Sequence, residues 1–192
     1  MPTDPFALFA EWMALARESE VNDPDAMALA TATPDGRPSV RIVLMRRYGP
    51  EGFGFFTNLE SDKGRQIAAN PFGALAIHWK SLRKQVRAEG RLEQVAAADA
   101  DDYFASRSRD SRIGAWASDQ SRPLDSRETF IDRIEAVRTR FEGGDVPRPP
   151  HWSGFRLVPD RIEFWEDGEF RLHHRRLFTR SGEGWSEGLL YP

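Results

Sequence analysis

Several stretches of this 192-residue chain bring cationic and hydroxyl side chains together at spacings that suit an anion. Arg171-Leu172-His173-His174-Arg175 places four basic or titratable groups within five residues. Such a knot needs an anionic partner or ample water, so a solvated charged edge and a binding site both remain open. Arg41 stands in the middle of an apolar run, Ser39 to Arg47, where an unpaired guanidinium is costly. A phosphate suits its planar, bidentate donors, and an internal salt bridge or an outward-pointing side chain is the other solution. Thr57, Ser61 and Lys63 group two hydroxyls and an ammonium around a predicted helix start, a phosphate cradle unless Ser61 serves only as a cap. Asp62 sets a like charge beside any phosphate there. Tyr103, Arg107 and Ser111 fall at fourfold spacing, so a continuing helix would show them on one face as a second phosphate site. Gln85 and Arg87 alternate outward on a buried-looking strand. Gly114 to Ser121 surrounds Trp116 with small residues and ends in Gln120 and Ser121, which permits close approach by a backbone, a partner chain or a flat ring.

Other chemistries are poorly served. The chain has no cysteine, which removes disulfides and thiolate chemistry. His173 and His174 are adjacent and would point to opposite faces of a strand, while His78 and His151 have no carboxylate at ligand spacing, so no metal site is expected. There is no nucleophile-elbow motif. The net charge of −3 supplies no global field for nucleic acid, so useful positive charge must be local. Asp4, Glu11 and Glu18 interrupt the first twenty residues, and no apolar run is long enough to span a membrane. A cytoplasmic protein is the expectation.

The elements that would position these groups follow from periodicity. Asp4-Pro5 starts a helix to about residue 20 whose Phe6, Phe9, Met13 and Ala16 share a face. Strands are expected at 27–33, 39–47 and 53–58, a helix at 61–70 capped by Ser61, and strands at 72–79 and 85–95. Five strands with short turns point to a small antiparallel barrel within one domain of 192 residues. Helices follow at 97–106, 111–117 and 126–141, the last with a Phe130-Ile134-Val137-Phe141 stripe directed at the barrel. The proline cluster at 147–150 is a rigid connector, leading to strands at 154–158 and 161–165 around a turn at Pro159-Asp160. Two more strands, 177–180 and 184–190, finish the chain.

In order and spacing, these segments resemble the pyridoxine/pyridoxamine 5′-phosphate oxidase family over essentially the whole length. The matching pieces are Arg41-Ile-Val-Leu, Phe55-Phe-Thr-Asn with Lys63-Gly-Arg, Gln85-Val-Arg-Ala-Glu-Gly, Tyr103-Phe-Ala-Ser-Arg107 and Ser111 through Ser121. Pro147-Arg-Pro-Pro and Ile162-Glu-Phe-Trp165 leading to Arg171-Leu-His173 complete the set. The resemblance implies an FMN-binding split β-barrel, mainly β with flanking helices, forming an obligate homodimer with flavin at the interface. It assigns FMN contacts to Arg41, Ile42, Val43, Leu44, Met45, Arg46, Phe56, Thr57, Lys63, Gln85, Gln120, Ser121, Trp165 and Arg175. It gives the substrate phosphate to Arg46, Tyr103, Arg107 and Ser111, and places Arg171 and His173 over the substrate ring as the catalytic pair. The implied reaction oxidises pyridoxamine or pyridoxine 5′-phosphate at C4′ to pyridoxal 5′-phosphate, with dioxygen reduced to hydrogen peroxide. Two rivals are a same-fold flavin oxidase for another aromatic substrate, such as a phenazine precursor, and a non-catalytic binder of FMN or pyridoxal phosphate. Tyr103, Arg107 and Ser111 favour a phosphorylated substrate.

The chain departs from the family pattern at several positions. Arg46 replaces the usual Lys and Phe56 the common Tyr. Asp62 stands where Arg is usual, which implies weakened FMN retention. Glu166 and His174 also leave the usual signature, and His174 acquires no role. The basic arm that often precedes the first helix in the family is missing from this sequence, which implies either a more open site or a sequence that begins inside a longer chain.

Overall fold

The computed structural model describes residues 4–192. Helix α1 (Pro5–Ser19) begins as its sequence dictates: Asp4 Oδ1 accepts from the Phe6 amide at 3.0 Å, and Pro5 occupies the first turn. Nine antiparallel strands follow the turn residues: β1 (Ala26–Ala32), β2 (Pro38–Leu44), β3 (Arg47–Gly49), β4 (Gly52–Asn58), β5 (Phe72–Trp79), β6 (Lys84–Gln94), β7 (Trp152–Glu166), β8 (His174–Ser181) and β9 (Gly184–Leu189). Between them lie α2 (Asp62–Ala69), α3 (Ala97–Ser106), α4 (Arg109–Ala117) and α5 (Arg127–Arg140). The sheet runs β2-β1-β5-β6-β7-β4-β3, with β8 added to β7 and β9 to β8. The curled sheet leaves β2 and β3 at its two ends, the split-barrel arrangement expected from the sequence.

α1 supplies much of the core. Phe9 lies 5.0 Å from Phe53 and 5.9 Å from Trp79 between ring centres, and Trp12 meets Phe164 edge-on at 5.1 Å. Burying these aromatics removes on the order of 150–250 Å² each from water, so the amphipathic helix is fixed by the barrel rather than by its own propensity. Six further buried apolar residues, Ala100, Phe104, Ile113, Ala117, Val146 and Trp152, stand apart from that core on the α3–α4 side.

Three expectations need correction. Pro159-Asp160 does not turn the chain; β7 is one strand of 15 residues. β6 runs along one edge of β7, while the other edge carries β4 opposite 152–157 and β8 opposite 161–166. Pro159 sits in the gap between those two partners, where a missing N–H leaves no ladder bond unmade. Asp160 is the extra residue of a bulge opposite Glu89 and Gly90. The expected strand over 39–47 breaks after Leu44, with Met45 and Arg46 turning the chain into β3. The α5 stripe packs on α4 rather than on the barrel, and no α5 residue is fully buried. The break expected between the helices at 97–106 and 111–117 is present: α3 ends at Ser106, and Ser108 caps α4 by accepting from the Ser111 amide at 3.3 Å, so Tyr103, Arg107 and Ser111 do not share one continuous helix.

The start of α2 is the tightest point in this frame. Ser61, fully buried, caps the Gly64 amide at 3.3 Å, and a Cβ on Gly64 would lie 2.1 Å from the Leu59 carbonyl oxygen. Because that neighbour is backbone, Gly64→Ala has to shift the chain. We expect a loss of about 1–3 kcal/mol, read as a lower urea midpoint at unchanged slope.

Candidate active site

One open cavity of about 780 Å³ lies between the barrel and the α3–α4 helices. Its wall brings together Arg41, Ile42, Val43, Leu44, Arg46, Phe56, Thr57, Lys63, Tyr103, Arg107, Ser111 and Gln120, twelve of the residues selected from the sequence. β2 carries Arg41 opposite Leu29 of β1, with the guanidinium turned over the sheet edge. Its Nη1 donates to the Leu29 carbonyl at 3.1 Å and Thr31 Oγ1 at 2.6 Å, and its Nη2 to Ser39 Oγ at 2.8 Å and Gln66 Oε1 at 3.2 Å. Lys63, in the first turn of α2, donates to Thr57 Oγ1 at 2.9 Å, Gln120 Oε1 at 2.8 Å and Ser61 Oγ at 3.3 Å. Every one of these acceptors is a neutral oxygen. The donors are positioned but their charge is not cancelled.

The electrostatics follow. Burial, with Arg41 adding repulsion and Asp62 opposing both, holds the Lys63 ammonium down at about 8. Burial likewise lowers Arg41, again against Asp62. Asp62 itself is turned away: its side chain is 60% exposed and paired with Arg65 one turn on. Its field reaches the two cations, but its carboxylate is no part of the cavity wall. The expected penalty of Asp62 on a bound phosphate is therefore reduced by solvent and by Arg65.

A second cationic centre is built on aromatic rings. Phe56 stacks on Tyr103 at 4.0 Å and lies near-parallel to Trp152 at 5.5 Å. Gly154, opposite Phe56 in the β4–β7 pair, makes room for this: a Cβ there would come 2.7 Å from the Phe56 ring. Arg107 packs over Trp152 at 5.1 Å and Phe104 at 5.6 Å, and its Nη1 is buried without a hydrogen-bond partner. Burial lowers Arg107 too, opposed by Tyr103 and reinforced by Arg46. Ser108 Oγ donates to Ser111 Oγ at 2.8 Å beside it. Arg46 differs from the other three cations, since Asp25 holds it at 2.7 Å. Among the described residues, Arg41, Lys63 and Arg107 make no ion pair.

The proline connector braces this wall. The Pro147 carbonyl accepts from Trp116 Nε1 at 2.7 Å, Arg148 pairs with Asp101 at 2.6 Å, and the Leu59 amide donates to the His151 carbonyl at 2.7 Å. Asn58 Nδ2 donates to the Ser118 carbonyl at 3.3 Å, which draws the segment carrying Gln120 over the end of β4. Gly114, Ala115 and Ser118 of the small-residue run and Asn58 of the matched Phe55-Phe-Thr-Asn piece also line the cavity, whereas Trp152, Ser108 and Phe130 line it without having been selected as site residues. Trp152 had one usable signal, a large aromatic directly after a rigid proline lead-in.

The remaining selected residues are elsewhere. Met45 is buried in the core, and Ser121, with φ +70, is exposed outside the cavity wall. Gln85, Trp165 and Arg175 lie side by side across β6, β7 and β8, away from that wall. Arg175 Nε donates to the buried Glu163 at 2.8 Å, which raises the arginine further. His173 packs on Trp165 at 4.7 Å and meets Asp167 at 3.0 Å. Phe170 and Arg171 both take left-handed backbone conformations, φ 54 and 66, which hold the approach to His173 in a sharp turn.

Comparison with known proteins agrees with this geometry. Residues 15–141 match the family model described as pyridoxamine 5′-phosphate oxidase, and 152–192 match that of the pyridoxine 5′-phosphate oxidase C-terminal dimerisation region. The chain is 63% identical to the pyridoxine/pyridoxamine 5′-phosphate oxidase of Sphingopyxis alaskensis, over all of this chain and 89% of that one. It is 60% identical to the protein of the same name from Gluconobacter oxydans, over all of this chain and 96% of that one. Among solved structures, PhzG from Burkholderia lata, in complex with tetrahydrophenazine-1-carboxylic acid, superposes with a TM-score of 0.93 at 32% identity, covering 100% of this chain and 94% of that one. Family, fold and cavity converge: the chain belongs to the pyridoxine/pyridoxamine 5′-phosphate oxidase family.

Proposed function

We propose that the protein is an FMN-dependent oxidase of pyridoxamine or pyridoxine 5′-phosphate, acting as a homodimer. The observation that carries this reading is the cavity with two separately built cationic centres, since cofactor and substrate each bring one phosphate; among the described residues Arg41 and Lys63 in one and Arg107 in the other have no carboxylate partner, and only Arg46 is paired, with Asp25. Arg41, Lys63, Thr57 and Gln120 would hold the FMN phosphate. The neutral oxygens that now orient Arg41 and Lys63 leave their positive charge for an anion. Arg107, with Tyr103, Ser111 and Arg46, would hold the substrate phosphate, and the orphaned Arg107 Nη1 supplies an unspent donor for it. When bound, FMN supplies a two-electron acceptor that dioxygen reoxidises to give hydrogen peroxide. The chain's contribution is to clamp two phosphates so that the substrate carbon lies in register with that acceptor, and to exclude water from the contact.

Gln85, Trp165, Arg171, His173 and Arg175 do not face the cavity of their own chain. We assign them to the cavity of the second subunit, where Trp165 and Arg175 would border the flavin and Arg171 and His173 the substrate. The match of 152–192 to a dimerisation region supports this, as do the exposed apolar side chains Val40, Ile42, Leu189 and Tyr191. A phenazine-type substrate is the second reading, favoured by the likeness to PhzG. Curated relatives at 55–63% identity and the Arg107 centre weigh against it.

Peroxide release on adding pyridoxamine 5′-phosphate to FMN-loaded protein tests the reading. Turnover of a phenazine precursor but not of the phosphorylated amine would transfer it to the rival, and a yellow, inert protein would make it a binder. Arg107→Met should raise KM for pyridoxamine 5′-phosphate about 30-fold or more while leaving FMN affinity within about threefold, from the loss of one charge-assisted contact.

FMN affinity should also fall with alkalinity. The free protein's Lys63 loses its proton near 8, whereas a bound phosphate dianion favours the ammonium, so binding takes up a proton above that pH. A phosphate monoester is already dianionic above about pH 6–7, so the decline is not its own titration. Fluorescence titration of apoprotein should show a slope approaching tenfold per pH unit above 8, absent in Lys63→Arg, whose guanidinium stays charged.

A further inference from the structure

We propose that Asp167 is a positioning residue that holds the His173 ring protonated on Nδ1, so that Nε2 is the bare atom shown to the substrate. The inference rests on the placement of His173 on the substrate side made above. Both side chains are only 17% exposed, and Asp167 Oδ1 lies 3.0 Å from His173 Nδ1. The Gly168 amide is also directed at Nδ1, at 3.3 Å. One nitrogen cannot serve both neighbours. It accepts from the amide only when it carries no proton, and a bare lone pair 3.0 Å from a carboxylate oxygen is repelled. The carboxylate therefore favours the Nδ1–H form, and among the described residues no side chain or backbone group bonds Nε2 of His173.

Asp167 is itself immobilised. Its Oδ2 pairs with Arg83, and its amide donates to the Arg83 carbonyl at 3.1 Å. Gly168 closes the loop so tightly that a Cβ would lie 2.1 Å from the Leu172 carbonyl oxygen. The Leu172 amide donates to Glu169 at 3.0 Å and the His173 amide to Arg171 at 2.9 Å, while Trp165 backs the ring. Carboxylate, histidine and free Nε2 thus form a fixed series. An Nε2 lone pair can accept from the hydroxyl or amine hydrogen that either substrate carries at the carbon to be oxidised. Were Nδ1 bare and accepting from the Gly168 amide, the proton would sit on Nε2, which would then be a donor and would meet those hydrogens head-on.

The test has a spectroscopic and a kinetic arm. The chain has four histidines, so [15N]histidine labelling of FMN-loaded protein, with His173→Gln for assignment, resolves the tautomer directly. His173 should be protonated on Nδ1 in the wild type, and protonation on Nε2 overturns the proposal. Asp167→Asn should lower kcat for pyridoxamine 5′-phosphate about 10- to 100-fold, the scale on which a carboxylate that orients a histidine matters. KM, FMN content and Tm should stay near wild type. Arg83→Gln removes the ion pair but keeps the Asp167–His173 contact, and should leave kcat within about threefold. A loss in Arg83→Gln equal to that in Asp167→Asn would show that Asp167 merely holds the loop, and wild-type kcat in Asp167→Asn would remove its role altogether. FMN-loaded wild-type protein without oxidase activity would sink the functional reading, while the tautomer measurement would still decide the part played by Asp167.

Discussion

The structure depends on keeping three cations half out of water without neutralising them. Arg41, Lys63 and Arg107 are all depressed by burial, and among the described residues no carboxylate pairs with any of them. A carboxylate partner would make the folded chain more stable and the cavity useless for phosphates. The solution is solvation by neutral oxygens for Arg41 and Lys63, and by aromatic faces for Arg107. Each substitute orients the cation while leaving its charge for a ligand. This is the usual conflict between stability and function, resolved here in the middle of β2, at the start of α2 and at the α3–α4 break.

Much of the site was legible because charge in an apolar context is conspicuous. Arg41 stood out for its setting, and Thr57, Ser61 and Lys63 for their spacing around a helix start. Tyr103, Arg107 and Ser111 were grouped by the spacing that one continuous helix would need, although two separate helices were expected there. Two helices meeting at Ser108 bring the same three residues to one cavity, so the grouping survives while its reason fails. What the sequence hid was long-range or contextual. The Phe56–Gly154 contact joins residues about a hundred positions apart, and no local pattern announces it. Asp62 read as an intruder on the phosphate because its partner Arg65 could only be seen once the helix placed them together.

Secondary structure failed in a similarly instructive way. Pro159-Asp160 has strong turn chemistry, but a proline is also tolerated wherever a strand edge has no partner, and β7 provides such a gap. The α5 stripe has the right period for packing against a sheet, yet the partner it finds is another helix. Period reports that a face will be covered and says nothing about what covers it.

The bulge at Asp160 has a further meaning for how this chain can vary in length. Before it, odd-numbered Phe155 and Leu157 of β7 enter the core; after it, even-numbered Ile162 and Phe164 do. The extra residue inverts the parity of the strand, so one continuous segment serves β4 with one phase and β8 with the other. Deleting Asp160 would leave a plain ladder in which Pro159 stays opposite Gly90, Arg161 opposite Glu89 and Ile162 opposite Ala88, so Ile162 and Phe164 would keep facing the core. Deleting a residue from either regular half of β7 would instead turn every side chain beyond it to the other face. The distance in sequence between the Trp152 platform and the Trp165–Arg175 group can therefore shorten by one residue at the bulge, and elsewhere only in steps of two.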